Sequence, residues 1–112
     1  HLAGRIGVAA TEALVARGAL VLRDASFELT PAGERLLSGL GVDVERARES
    51  KRSFARVCID WSERRPHLAG ALGAALADAL LADGWFERRP HDRALVVSAQ
   101  GAMRLRELGV EV

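Results

Sequence analysis

The chain has 112 residues, of which 49% are hydrophobic and 28% are charged, and its formal net charge is +1. This length suits one domain, or two small units with a shared core, which should bury about two-thirds of the unfolded surface. The charge balance lacks the strong basic excess that by itself indicates a nucleic-acid binder. The longest apolar region, 68–86, is interrupted by two aspartates and is no membrane span. A single cysteine excludes an intramolecular disulfide.

A long internal repeat organises the chain. The first eighteen residues, HLAGRIGVAATEALVARG, share ten positions with HLAGALGAALADALLADG at 67–84. Each copy is followed by a strand-like run, a turn, a second strand-like run, a glycine and an amphipathic stretch. The turn after the second copy has two extra residues. Because the repeat occurs only twice, it indicates a duplicated unit and not a solenoid. We predict an α+β fold of two pseudo-symmetric α-β-β-α repeats that share one core: residues 1–42, a connecting helix and turn over 43–66, and residues 67–112.

In chain order, the helical spacing of apolar residues predicts a first helix over 1–17 that stops at Gly18. Strands over 19–22 and 27–29 should flank a turn at 23–26. Thr30 as N-cap and Pro31 as first helical residue predict the start of the next helix. Asp43 should cap a charged connecting helix from Val44 to about residue 54.

The segment 56–61 is short and apolar, so we expect it to be buried against the second long helix. A turn over 62–66 should then place Pro66 at the start of that helix, from His67. Glycine inside a helix costs about 1 kcal/mol relative to alanine. The glycines of the two HLAGxxG copies therefore predict a close crossing of the two long helices. A second hairpin, 85–88 and 94–97, and a last helix capped by Ser98 complete the chain.

Two sets of residues resemble known regulators. The leucine-rich and alanine-rich helix, the GWFERR sequence at 84–89 and the following hairpin resemble the recognition helix and wing of winged helix-turn-helix proteins. More specifically, CIDWSERRPHLAG at 58–70, the earlier HLAG and LTPAG at 29–33 are similar to the C-terminal half of the longer ArsR-type transcriptional regulators.

The resemblance implies a cytoplasmic regulator that forms a homodimer and binds operator DNA through an N-terminal domain outside this sequence. The chain begins inside a repeat and without an initiator methionine, so we expect a fragment of a longer protein. The resemblance makes this part a C-terminal dimerisation or effector-sensing domain, and a small-molecule effector is a possible partner.

The chemistry of the residues leaves other hypotheses open. The stretch 67–83 has no Arg, Lys, Asn or Gln to read bases, but Arg88, Arg89 and Arg93 on the second hairpin suit phosphate contacts, as in a stand-alone winged-helix DNA-binding domain.

A pocket for an apolar ligand would be lined by Trp61, Trp85 and Phe86, although these aromatic residues fit a plain core better. A metal-sensing domain would use Cys58, Asp60 and His67, with His1 and His91 as further donors, yet no zinc-type spacing is present. No nucleophile–base frame or phosphate-binding glycine loop indicates an enzyme, and no cofactor is expected.

Overall fold

The computed structural model describes residues 4–24, 26–50, 53–60, 65–88 and 95–110. Within these ranges the chain is a mixture of helices and strands, so the predicted α+β class is confirmed. The elements in chain order are α1 (Gly4–Ala16), β1 (Leu20–Arg23), β2 (Ser26–Leu29), α2 (Pro31–Gly39), α3 (Val44–Glu49), β3 (Arg56–Asp60), β4 (Arg65–Ala69), α4 (Gly70–Ala82), β5 (Phe86–Arg88), β6 (Leu95–Val97) and α5 (Ala99–Glu107). None of the helices in this described part combines the length and the apolar character needed to cross a bilayer.

The strands form two antiparallel sheets. The first has the order β1-β2-β3-β4, and the second consists of β5 and β6. The order helix, strand, strand, helix occurs in α1-β1-β2-α2 and in α4-β5-β6-α5, and it also occurs between them in α3-β3-β4-α4. The division of the chain into two repeats and a connecting segment at the stated boundaries remains a prediction.

A glycine follows each long helix, and the stop predicted at Gly18 is confirmed. Gly18 and Gly84 have φ angles of 73° and 78°, in the left-handed region that L side chains adopt only with strain. The next residue donates its N–H to a carbonyl of the last helical turn, which is typical of a glycine-ended helix. These bonds join Ala19 N to Leu14 O at 2.9 Å and Trp85 N to Leu80 O at 3.0 Å.

The following helices begin with matching hydroxyl caps. The side-chain oxygens of Thr30 and Ser98 accept from the backbone N–H of Gly33 and Gly101, each at 2.9 Å. Each hydroxyl also donates to the carbonyl of the glycine that ends the preceding long helix. One side chain thus links both ends of its hairpin, and the predicted caps are confirmed.

The second long helix begins at Gly70, so the predicted start at His67 is wrong. Residues 65–69 instead form β4, whose His67 lies opposite Cys58 of β3. Proline is tolerated at a sheet edge when its nitrogen points away from the neighbouring strand. Leu68 N–H points away from β3, to Thr11, and the nitrogen of Pro66, two residues earlier, is on the same side. Pro66 therefore costs the sheet no hydrogen bond.

The connecting helix is also shorter than predicted. Asp43 is its N-cap, and its Oδ1 accepts from Arg46 N at 3.0 Å, but α3 ends at Glu49. Ser50 has extended backbone angles, φ −63° and ψ 147°. The chain leaves the helix here because residues 53–55 cross to the start of α4 and to β2.

The predicted close crossing of the two long helices is wrong for the described residues. The main neighbours of α1 are β4 and β1, whereas α4 packs against α3 and against β3, β4 and β5. The glycine at the start of α4 serves another contact: a Cβ on Gly70 would lie 2.3 Å from the carbonyl oxygen of Ser53.

A single cluster of buried side chains joins all these elements. Its most deeply buried members come from the first hairpin, α2, α4 and α5, and from the residue that precedes β5. They include Leu20, Leu37, Leu72, Trp85 and Leu105, each exposed by 1% or less. The described elements of both halves therefore pack on one hydrophobic core.

Candidate functional site

The contact between α1 and β4 is built around Thr11. Its Oγ1 donates to Gly7 O at 2.8 Å and accepts from Leu68 N at 2.9 Å. Thr11 is 5% exposed and Leu68 is 4% exposed, so this bond lies away from water. Thr11 therefore satisfies an N–H on the outer edge of β4 and fixes the position of α1 on the sheet.

Replacing Thr11 with valine should destabilise the chain by about 1 to 3 kcal/mol, because Leu68 N–H would stay buried without an acceptor. Denaturant unfolding measures this loss. Thr11→Ser is the matched control, since it keeps the hydroxyl and should retain most of the stability. Equal stability of Thr11→Val and the unchanged chain would contradict this role.

An apolar pocket of about 350 Å³ lies beside Thr11, between α1 and the sheet. Leu22 and Phe27 are directly opposite on β1 and β2 and so share a sheet face. Phe27 is buried, whereas Leu22 is 50% exposed and Val15 of α1 is 40% exposed. The lining residues are Thr11, Glu12, Val15, Ala16, Leu22, Phe27 and Pro66. This arrangement can hold an apolar ligand or an apolar side chain of a partner.

The sequence predictions missed this pocket. Thr11 corresponds to Ala77 in the second repeat, and Leu22 corresponds to Arg88. A polar residue in place of an alanine, and an apolar residue in place of an arginine, are the signals that distinguish the first copy. The pocket itself depends on β4, because Pro66 forms one wall, and β4 was not predicted.

A second groove, of about 520 Å³, runs between α3 and α4. Its α4 side consists of small residues and Asp78, and its α3 side includes Asp43, Arg46 and Ser50. The groove is open and carries charges of both signs, so its lining specifies no ligand.

The start of α4 is closed to an anion. The N–H groups of Ala71 and Leu72 donate to the carbonyls of Ser53 and Phe54, at 2.8 and 2.7 Å. Such first-turn N–H groups are the donors that a phosphate would need. Farther along α4 the exposed side chains are those of Asp78 and Ala82, and neither can donate a hydrogen bond to a base edge.

The predicted DNA-backbone residues are only partly within the described structure. Arg88 ends β5, and Arg89 and Arg93 lie outside the described residues, so their role stays a prediction. Other arginines are engaged: Arg17 donates to the carbonyls of Glu107 and Leu108 at the end of α5. Arg17 thereby links the C-terminal ends of α1 and α5.

Two of the three predicted pocket aromatics belong to the core. Trp85 is 1% exposed and Phe86 5% exposed. The indole N–H of Trp85 donates to Asp83 Oδ2 at 2.9 Å, and the Arg104 guanidinium lies 5.4 Å from its ring centroid. Trp61 lies outside the described residues. Trp85 and Phe86 thus follow the core interpretation that the sequence favoured.

The weak metal candidates are only partly brought together. Cys58 and His67 are directly opposite on β3 and β4, and Asp60 is two residues farther along β3. His67 is 2% exposed. His1 and His91 lie outside the described residues. Across the described ranges, no group of three His, Cys, Asp or Glu side chains is placed to hold a metal ion.

Comparison with known proteins gives one informative similarity. The chain is 45% identical over 101 residues, 90% of its length, to a protein of Bacillus subtilis strain 168 named an uncharacterized HTH-type transcriptional regulator, YdfF. The chain spans 45% of the length of that relative. No family model matches the chain, and no solved structure matches it.

Proposed function

We propose that this chain is a dimerisation or effector-sensing domain of a DNA-binding transcriptional regulator, and that it is the C-terminal part of a winged-helix protein of the ArsR-like type. The observation that carries the proposal is its 45% identity, over 90% of its length, to a protein named an HTH-type transcriptional regulator. Because the chain corresponds to less than half of that relative, the proposal assigns operator binding to another domain of the whole protein, which would act in the cytoplasm.

The surface of α4 supports a role other than base reading. A reading helix needs donors and acceptors on its exposed face, whereas α4 exposes Asp78 and Ala82. The carboxylate of Asp78 would repel the phosphates on either side of a groove. The carbonyls of Ser53 and Phe54 occupy the first N–H groups of the helix.

The pocket beside α1 supports a role in binding a partner subunit or an effector. Soluble domains place large apolar side chains on the surface singly more often than around a cavity. Here Val15 and Leu22 are both half-exposed and line the same cavity over Phe27. A second subunit would cover them in a homodimer, and an apolar small molecule would fill the space between them.

Leu22→Asn tests this surface, because it places an amide in the wall of the pocket without removing a buried core residue. Sedimentation of the chain over a range of concentrations and titration with the fluorescent probe bis-ANS are the measurements. We expect either a dimer that Leu22→Asn converts to monomer, or a monomer whose bis-ANS binding falls about tenfold, a loss of about 1.4 kcal/mol. Met103→Asn is the matched control, because Met103 is 61% exposed, lies on α5 and does not line the pocket.

A monomer that binds no probe, or binding and assembly that Leu22→Asn leaves unchanged, would contradict the proposed use of this surface.

A further inference from the structure

The two equivalent hairpins, β1-β2 and β5-β6, have different neighbouring strands. The outer edge of β2 is covered by β3, through the pair Ser26 and Arg56 and through Phe27 N–H, which donates to Ala55 O at 2.7 Å. Among the described residues, β6 pairs with β5 alone. The edge of β6 that corresponds to the covered edge of β2 therefore has no strand beside it in the described part of the chain.

In their internal pairing the two hairpins are equivalent. The pairs Leu20–Leu29, Val21–Glu28 and Leu22–Phe27 in the first hairpin correspond to Phe86–Val97, Glu87–Val96 and Arg88–Leu95 in the second. Leu95 thus occupies the position of Phe27, whose N–H bonds to the segment entering β3.

The outward N–H groups of β6 follow from the hydrogen bond at its end. Ser98 N donates to Trp85 O at 3.0 Å, so Ser98 faces β5. Antiparallel strands alternate the direction of their N–H groups. The N–H group of Val96 therefore also points to β5, while those of Leu95 and Val97 point to the outer edge.

A second observation concerns the glycines that begin the long helices. Gly70 has a φ of 78°, and a Cβ there would lie 2.3 Å from Ser53 O, because the segment that leads into β3 crosses the start of α4. The sequence HLAG recurs at 1–4, and α1 begins at Gly4 as α4 begins at Gly70. Glycine is a poor helix former, so its repetition at this position predicts a crossing segment at α1 as well.

We propose that the outer edge of β6 is the acceptor for an antiparallel β-strand with the residue pattern of β3, supplied by a segment that leads into α1. The filled edge would extend β5 and β6 to a four-stranded sheet like the first one. This inference goes beyond the regulatory function and does not depend on it.

The physical basis is that the outer backbone of β6 has no partner strand among the described residues. Exposed strand edges readily pair with other strands, and proteins commonly cover them. The incoming strand would accept from Leu95 N–H as Ala55 accepts from Phe27 N–H. Its crossing segment would supply carbonyls to the first N–H groups of α1, as Ser53 and Phe54 do for α4.

The test is a fusion that places a second copy of residues 53–66 directly before His1, so that SFARVCIDWSERRPHLAG occurs at both long helices. Covalent attachment gives the added segment a high effective concentration at the edge. We expect amide hydrogen exchange at Leu95 to slow by at least about tenfold relative to the unfused chain, since this amide becomes hydrogen-bonded as that of Phe27 is. Val96 N–H, which already faces β5, should change less.

A control keeps this result specific. A fusion with the same fourteen residues in shuffled order should not protect Leu95.

Unchanged exchange at Leu95 in the fusion, or equal protection by the shuffled segment, would overturn the proposal. Sedimentation shows whether the added strand fills the edge of its own chain or that of a second copy. Protection in either case supports the acceptor edge.

Discussion

Replacing Gly101 with alanine should destabilise the chain by about 3 kcal/mol or more, the upper range for forced overpacking. A Cβ at this position would lie 2.0 Å from Trp85 O and 2.7 Å from its carbonyl carbon. Both are backbone atoms at the start of the second hairpin, so α5 would have to move away from the core. Gly101 lies inside α5, where alanine is intrinsically preferred by about 1 kcal/mol, and the contact reverses that preference.

Denaturant unfolding of Gly101→Ala provides the measurement, and Gly39→Ala provides the control. Gly39 is also helical, in α2, but a Cβ there would meet no atom within 4 Å. It should leave stability unchanged or raise it by at most about 1 kcal/mol. Gly33→Ala should behave like Gly101→Ala, because its Cβ would lie 2.1 Å from Ala19 O. Equal unfolding midpoints for Gly101→Ala and Gly39→Ala would refute this account of the helix–hairpin contact.

The second large effect is expected at Gly70. Alanine at its φ of 78° costs about 1 to 2 kcal/mol of backbone strain, and its Cβ would lie 2.3 Å from Ser53 O. Moving Ser53 would break the hydrogen bonds that Ser53 and Phe54 accept from Ala71 and Leu72. Gly70→Ala should therefore add backbone strain and at the same time remove the hydrogen bonds at the start of α4.

Gly18→Ala separates these two contributions. Gly18 has a φ of 73° but no atom within 4 Å of its Cβ position, so its substitution adds strain alone. We expect Gly70→Ala to lower the free energy of unfolding by about 2 kcal/mol more than Gly18→Ala does, from the added overlap. Similar losses in the two variants would show that residues 53–55 can move aside without lowering the free energy of unfolding.

The features predicted correctly from the sequence depend on local chemistry. Gly18, Thr30, Asp43 and Ser98 end or begin helices through groups a few residues away, so the neighbouring sequence is enough to predict them. The predicted helix start at His67, in the second HLAG copy, is wrong because a distant contact and not local chemistry decides the conformation there. Whether residues 65–69 extend or coil is decided by pairing with β3, and Pro66 suits an edge strand as well as a first helical turn.

The same limit applies to the candidate site. Residue type alone indicates the predicted residues: arginines on a turn, aromatic residues near a hairpin and side chains that can bind metal. The pocket beside α1 is instead made of ordinary residues, Val15, Leu22 and Phe27, whose proximity follows from the docking of α1 on the sheet. Thr11, which fixes that docking, bonds to a residue 57 positions away, and no local pattern specifies such a bond.

The most direct test of the proposed function is the binding of this chain to fluorescently labelled duplex DNA, followed by anisotropy from low to physiological salt. A domain that does not read DNA should show no sequence preference and at most weak binding that disappears as salt rises. Substituting Arg88, Arg89 and Arg93 together with alanine should then change little. Tight, sequence-dependent binding that this triple substitution abolishes would contradict the proposal and identify the chain itself as the DNA-binding domain.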